Sequence, residues 1–195
     1  MNKGAQTKQH IARKAITLAS KVGLEKLTIG GLAKTIGMSK SGLFAHFTSK
    51  EGLQIHVMEA AVEMFTLRVI KPALKEPRGE PRLRAIIKNW IDWENSSLMP
   101  GGCLFIGAAT EFDDCPGATR DFIANNQQQW WDFIAGAAKI AVAEGHFRKD
   151  LDSKQFAYEL LSLFLGYHQL SRLLKDPKAD RRLRAAFEAL IERSH

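Results

Sequence analysis

Apolar residues recur every three or four positions along this chain, the spacing of one face of an α-helix, and strand-like alternation is nearly absent. Ile11, Ala15, Leu18, Ala19 and Val22 mark a first helix that stops at Gly23, a residue suited to the left-handed turn beyond a helix end. Thr28 can cap a second helix carrying Ile29, Leu32, Ala33 and Ile36, with Gly37 as its stop, and a short third helix starts at Ser39. Thr48 and Glu51 have the spacing of a capping box. They open a long fourth helix through Leu53, Val57, Ala60, Ala61, Met64 and Phe65, which fades between Pro72 and Pro77. Pro81 fits the first turn of a fifth helix through Leu83, Ile86, Ile87, Trp90 and Ile91. Beyond the Pro100-Gly101-Gly102 loop, a sixth helix covers Leu104 to Phe112 and a seventh runs from Pro116-Gly117 to Glu144, with Gly145 as its stop. Ser153 to Leu174 and Lys178 to Arg193 complete nine helices, the last two parted at Asp176-Pro177. The pattern predicts an all-α protein without internal repeats.

Composition narrows the class. With 45% hydrophobic and 25% charged residues in 195, the chain has the ordinary globular mixture. Its apolar runs fall short of the ~18 to 20 residues a membrane span needs. The polar, basic start of the chain carries no signal-peptide pattern, so a cytoplasmic protein is expected. Two cysteines, Cys103 and Cys115, cannot staple a fold of this size and are expected to be free thiols. The net charge of +7 becomes informative once it is located. Nine of the 28 lysines and arginines, but only Glu25 and Glu51 of the 21 acidic residues, precede Val57, which leaves 19 of each sign after it. A basic module on a neutral body is the footprint of docking on a polyanion, nucleic acid first and an anionic membrane surface second. The membrane alternative calls for a basic amphipathic helix, whereas Ala12 to Val22 has an ordinary core-facing stripe.

Within that module, Leu32 to Phe47 has the spacing of a helix-turn-helix. Ala33 is small where two helices would cross, Gly37 can take the left-handed conformation of the turn, and Leu43 would close the small core. Ser39 would cap the second helix of the pair and present Lys40, Ser41 and Gly42 to the major groove. Gly42 is a poor helix former, so its place there suggests close backbone approach to DNA or to the neighbouring helix.

The first 55 or so residues resemble the DNA-binding domain of the tetracycline-repressor family of bacterial transcription regulators. The resemblance rests on Ile11, Ala15, Gly23, Thr28, Leu32-Ala33, Gly37-Met38-Ser39, Gly42-Leu43-Phe44, His46-Phe47 and Lys50-Glu51-Leu53. It implies a DNA-binding domain over residues 1–50 and an effector-binding, dimerising domain over 51–195. Carried across position by position, Thr28 bonds a phosphate, Ser41 reaches base edges, Lys40 reaches a base edge or a phosphate, and His46 and Lys50 grip the backbone across the groove. The family usually has tyrosine at the position of Phe44, where the hydroxyl meets a phosphate; Phe44 is expected to keep the packing and lose that bond.

The same resemblance implies an effector cavity in the body, for which Trp90, Phe105, Phe112, Trp131, Phe164 and His168 are the candidate wall, suited to a hydrophobic or aromatic effector. The last two helices carry apolar faces wider than one body needs. Phe156, Leu161, Leu165 and Gly166 on one, with Phe187, Leu190 and Ile191 on the other, are the expected seam of a two-fold homodimer. No metal-ligand spacing, glycine-rich phosphate loop or nucleophile elbow is present, so no metal, no cofactor and no enzymatic activity are expected. Asp113 and Asp114 are expected to accept from backbone amides near the start of the seventh helix. The partners expected are a double-stranded operator, a small effector and a second copy of the chain, with no membrane.

Overall fold

The computed structural model describes residues 3–44, 46–47 and 49–195, with residues 3–8 described by backbone alone. All its regular elements are helical: α1 Lys3–Val22, α2 Ile29–Ile36, α3 Lys40–Phe44, α4 Lys50–Phe65, α5 Lys71–Ala73, α6 Glu80–Glu94, α7 Leu104–Phe112, α8 Ala118–Ala143, α9 Ser153–His168 and α10 Ala179–Ser194. The short α5 is an extra turn beyond the nine helices expected. Wider π-helical turns follow α4 at Thr66–Ile70 and α9 at Gln169–Leu173. Pro72 has no amide to offer the Arg68 carbonyl four residues earlier, so the α-helical ladder cannot run on unbroken there. Among the described residues no helix is long and apolar enough to cross a membrane.

Two compact units divide the chain. The first comprises residues 1–66 and 93–125, the second residues 67–92 and 126–195. The expected domain boundary at residue 50 coincides with the start of α4, but α4 packs on α1 and stays with the first unit.

In the first unit Ile11, Ala15, Ile16 and Ala19 of α1, Leu32 and Ala33 of α2, Leu43 of α3, and Leu53, Val57, Met58 and Ala61 of α4 are buried in one core. Three of these helices start alike. Thr28 accepts from the Gly31 amide at 3.0 Å, Ser39 from Gly42 at 3.1 Å and Ser49 from Gly52 at 2.9 Å. A hydroxyl cap thus meets a glycine three residues on, where a Cβ would stand only 3.0–3.2 Å from the cap oxygen. For α4 this revises the expectation. Thr48 lies outside the described residues, Ser49 is the cap, and Glu51 turns away to accept from the Ala118 amide at 3.0 Å. That bond serves the start of α8, where Asp113 and Asp114 were expected; Asp113 instead accepts from its neighbour Asp114.

The stretch from 93 to 125 is tied to the N-terminal helices by further polar contacts. The Gly101 amide donates to Ser20 Oγ at 3.0 Å, and Glu111 accepts from the Glu25 amide at 2.8 Å beside Gly23, whose φ is +96°. Buried Gln54 donates to the Leu24 carbonyl and accepts from Thr119. Behind these, Phe65 meets Trp93 and Phe105 edge to face, with ring centroids 5.4 and 5.5 Å away.

In the second unit α9 and α10 pair along their length. Phe156, Ala157, Leu160 and Phe164 of α9 and Leu183, Phe187, Leu190 and Ile191 of α10 are all buried. Trp90 stacks on Phe164 at 4.1 Å and meets Tyr167 edge-on. Arg84 bridges Glu80 and Glu188 at 2.6 and 2.7 Å, which raises its already high pKa.

Candidate nucleic-acid interface and ligand cavity

The helix-turn-helix is assembled by local chemistry. Gly37 sits at φ +71° and the Met38 amide bonds back to the Ala33 carbonyl at 3.0 Å, so the second helix ends in a left-handed turn that a side chain would strain. Ser39 then starts α3, and Ser41 Oγ lies 3.4 Å from Ser39 Oγ. Thr28, Ser39, Lys40, Ser41, Phe44, His46 and Lys50 are all exposed, and Gly42 is partly so. A Cβ on Gly42 would stand 3.0 Å from the Ser39 cap oxygen, a close contact within its own helix.

Phe44, a DNA-binding candidate expected to keep the packing of the family's tyrosine, is 43% exposed, while Leu43 and Phe47 on either side of it are buried. The Lys40 ammonium lies over the Phe44 ring, 5.8 Å from its centroid. Lys50, expected on a phosphate, bonds Glu25 at 2.7 Å. That hydrogen bond and the charge of Lys50 hold the Glu25 carboxyl below the usual range. Arg13, Lys14, Lys21, Lys26 and Lys34 of the same segment are exposed as well.

The residues expected to wall an effector cavity are shared between the units. Phe105 and Phe112 are core of the first, Trp90 and Phe164 are stacked core of the second, and Trp131 and His168 are half-buried there, Trp131 beside Tyr158. The second unit has a cavity of about 180 Å³ elsewhere, lined by Ala73, Leu74, Gly79, Arg82, Ile86, Phe133, Gly136, Ala137 and Ile140. Its wall is carbon almost throughout. Arg82 contributes its stem while its Nε donates to the Glu76 carbonyl at 3.0 Å. Residue types that suggest a pocket in sequence are large and aromatic, whereas this space exists because Ala73, Gly136 and Ala137 are small. The signal available was Gly136 in the middle of the 26-residue α8, a position where glycine is costly.

The dimer candidates also separate. Phe156, Phe187, Leu190 and Ile191 are buried against their own chain and have no surface left for a partner. Leu165 is 56% exposed, Leu161 is half-buried beside it, and Gly166 faces open space. Tyr158, Leu173 and Leu174 add exposed apolar surface that the sequence reading did not single out.

Among the described residues no cluster of histidine, cysteine or acidic side chains could hold a metal ion. Cys103 is buried and Cys115 exposed, both as free thiols.

Residues 11–57 match the family model for bacterial regulatory proteins of the tetR family, and residues 79–187 match that for the tetracyclin repressor-like C-terminal domain. Curated proteins yield no match. Among solved structures, a TetR transcriptional regulator from Chloroflexus aurantiacus superposes with a TM-score of 0.85 at 22% identity, over 98% of this chain and 96% of that one. A TetR-family regulator from Cytophaga hutchinsonii gives 0.83 at 19% identity over 98% and 96%. AibR, solved in complex with isovaleryl coenzyme A and operator DNA, gives 0.67 at 24% identity over 83% and 85%. These likenesses share the fold, and the two models meet the helix-turn-helix and the helical body in the order the chain presents them; the chain belongs to the tetracycline-repressor family of transcription regulators.

Proposed function

We propose that the protein is a homodimeric repressor that holds a palindromic operator and releases it when a small hydrophobic effector enters the second unit. As a member of its family it is a transcription factor and not an enzyme. One observation carries the reading: the helix-turn-helix, with Lys40 and Ser41 exposed on α3, lies within the segment that holds the chain's whole excess of positive charge. In this reading Lys40 and Ser41 meet base edges, while Thr28, His46 and, once parted from Glu25, Lys50 hold phosphates. The seam of the dimer is the stripe of exposed Tyr158 and Leu165 and half-buried Leu161 on α9, with exposed Leu173 and Leu174 beyond it, apolar surface that a second copy would remove from water. AibR, solved with an acyl coenzyme A and operator DNA together, supports the pairing of the two functions in one such chain.

The effector's seat in this reading is the 180 Å³ cavity. An apolar cavity of ~150 Å³ holds benzene, so a neutral monocyclic or short branched hydrocarbon fits the space.

Selection of a duplex from a random pool by the full chain, then anisotropy titration between about 50 and 200 mM salt, tests the DNA arm. Each phosphate neutralised adds about −0.9 to the slope of log affinity against log salt, so a steep fall is expected and a flat response overturns the reading. Toluene is the probe for the effector arm. It should displace the duplex from the wild-type protein and fail to do so from Gly136→Ala, which narrows the cavity yet stabilises α8 by ~0.5–1 kcal/mol. Equal displacement from both proteins would remove the cavity from the mechanism and leave the DNA arm standing.

A further inference from the structure

Phe44 is an exposed aromatic ring that the fold of its own unit does not explain. In the five-residue α3 the core position belongs to Leu43, which is fully buried, and Phe47 closes the core after it. Phe44 is 43% exposed between them. Among the described residues its ring contact is the Lys40 ammonium, one helical turn earlier on the same face, 5.8 Å from the ring centroid. Cation and ring therefore form one patch, with the ring's electron-rich face drawing the ammonium to it.

The chemistry of that patch restricts what it can meet. A phenylalanine ring has no donor for a phosphate, so the bond made by a tyrosine hydroxyl at this place is not open to it. In the major groove one apolar group is displayed on the base edges, the C5-methyl of thymine, and the strongest acceptor pair is guanine O6 and N7. A ring and an ammonium held side by side suit those two groups on neighbouring bases. A protein partner is a poorer occupant: an apolar surface that covered Phe44 would also strip water from the Lys40 charge.

We infer that Phe44 and Lys40 act as one specificity unit, in which the Phe44 ring packs on a thymine methyl and the Lys40 ammonium donates to the guanine beside it. The inference rests on the DNA-binding reading above. It gives Phe44, a DNA-binding candidate that lacks the tyrosine hydroxyl, a base-reading role and predicts a thymine next to a guanine in each half-site.

Uracil substitution tests it, because uracil differs from thymine by the methyl alone. In the duplex selected by the full-length protein, each thymine is replaced singly by uracil and affinity is read by anisotropy. One thymine per half-site should prove sensitive, with binding weakened about 3- to 5-fold, the worth of one buried methyl. Phe44→Ala should bind the thymine and uracil duplexes equally. Replacing the neighbouring guanine by 7-deazaguanine should weaken the wild type and leave Lys40→Ala indifferent. Circular dichroism confirms that the variants remain folded, as expected for exposed positions. If the selected duplex binds with its usual salt dependence but no thymine shows a uracil effect that vanishes in Phe44→Ala, the inference is overturned and the DNA-binding reading stands. If Phe44→Tyr tightens binding to every duplex alike and abolishes the uracil effect, the ring faces a phosphate and the inference is again overturned. If no duplex is selected at all, the DNA-binding reading falls and takes the inference with it.

Discussion

Lys50 is a residue at which two uses of one charge compete. Its ammonium is 2.7 Å from Glu25, and the pair holds that carboxyl below its usual range, so its contribution is present above the unfolded carboxyl's pKa and lost as pH falls through the lowered one. A phosphate can take the ammonium only by displacing Glu25. Glu25→Gln removes both the competitor and a negative charge facing the polyanion. It should tighten binding to all duplexes severalfold and steepen the salt slope by about one ion, with little change in melting temperature because exposed pairs hold a fold weakly. Unchanged affinity in that titration would place Lys50 off the DNA. The cysteines differ more sharply. Burial, and then the adjacent Glu94 carboxylate, push the Cys103 thiol up to about 12, so it stays protonated at neutral pH, whereas Cys115 is exposed. Iodoacetamide followed by mass spectrometry should label Cys115 in the native protein and reach Cys103 only as the chain unfolds. Equal labelling rates in the folded state would contradict this burial.

Among the elements, the Pro100-Gly101-Gly102 loop shows how a sequence feature acquires a role from tertiary contact. In sequence the three residues mark a break between helices. In the structure the Gly101 amide bonds Ser20 Oγ, and a Cβ on Gly101 would overlap the Ser20 carbonyl, main chain that has no side-chain freedom to yield. Gly101→Ala should therefore cost at least ~1–3 kcal/mol, read as a lowered midpoint in thermal unfolding. A melting temperature equal to wild type would mean that the loop can lift from α1. Helix ends formed by neighbours in sequence were legible from the chain: the caps Thr28 and Ser39, and the left-handed Gly37. The start of α8 beyond Pro116-Gly117 was legible too, but not the side chain that accepts its Ala118 amide, because that is Glu51, 67 residues earlier.

At the scale of the whole molecule the proposed dimer rests on the surface that joins two copies. The stripe containing Leu165 is exposed, while Leu190 is buried between α9 and α10 of its own chain. The two leucines should respond in opposite ways to glutamate. Leu165→Glu should sediment as a folded monomer with operator affinity collapsed, because a two-fold site needs two recognition helices about one DNA turn apart. Leu190→Glu places an unpaired carboxylate in a closed core and should unfold the second unit, with loss of helical circular dichroism. A Leu165→Glu protein that remains dimeric would move the seam elsewhere.

What the sequence determined by itself were features set by near neighbours and by totals: the helical period, the caps and glycine stops, the helix-turn-helix spacing, and the excess of charge before Val57. These depend on residues within one or two turns, or on counting, and need no knowledge of what lies across the fold. Only the tertiary structure decided how an apolar residue is spent. Phe187, Leu190 and Ile191 look in sequence as fit for a partner as Leu165 does, yet α9 consumes their faces and leaves that of Leu165 open. Trp90 and Phe164 look like a pocket wall, yet stack on one another, and the cavity opens where Gly136 and Ala137 leave room. Leu43, Phe44 and Phe47 look alike in sequence, yet Leu43 and Phe47 are buried while Phe44 is 43% exposed beneath a lysine. Periodicity states that a face is apolar; packing settles whether its own chain, a ligand or a partner covers it.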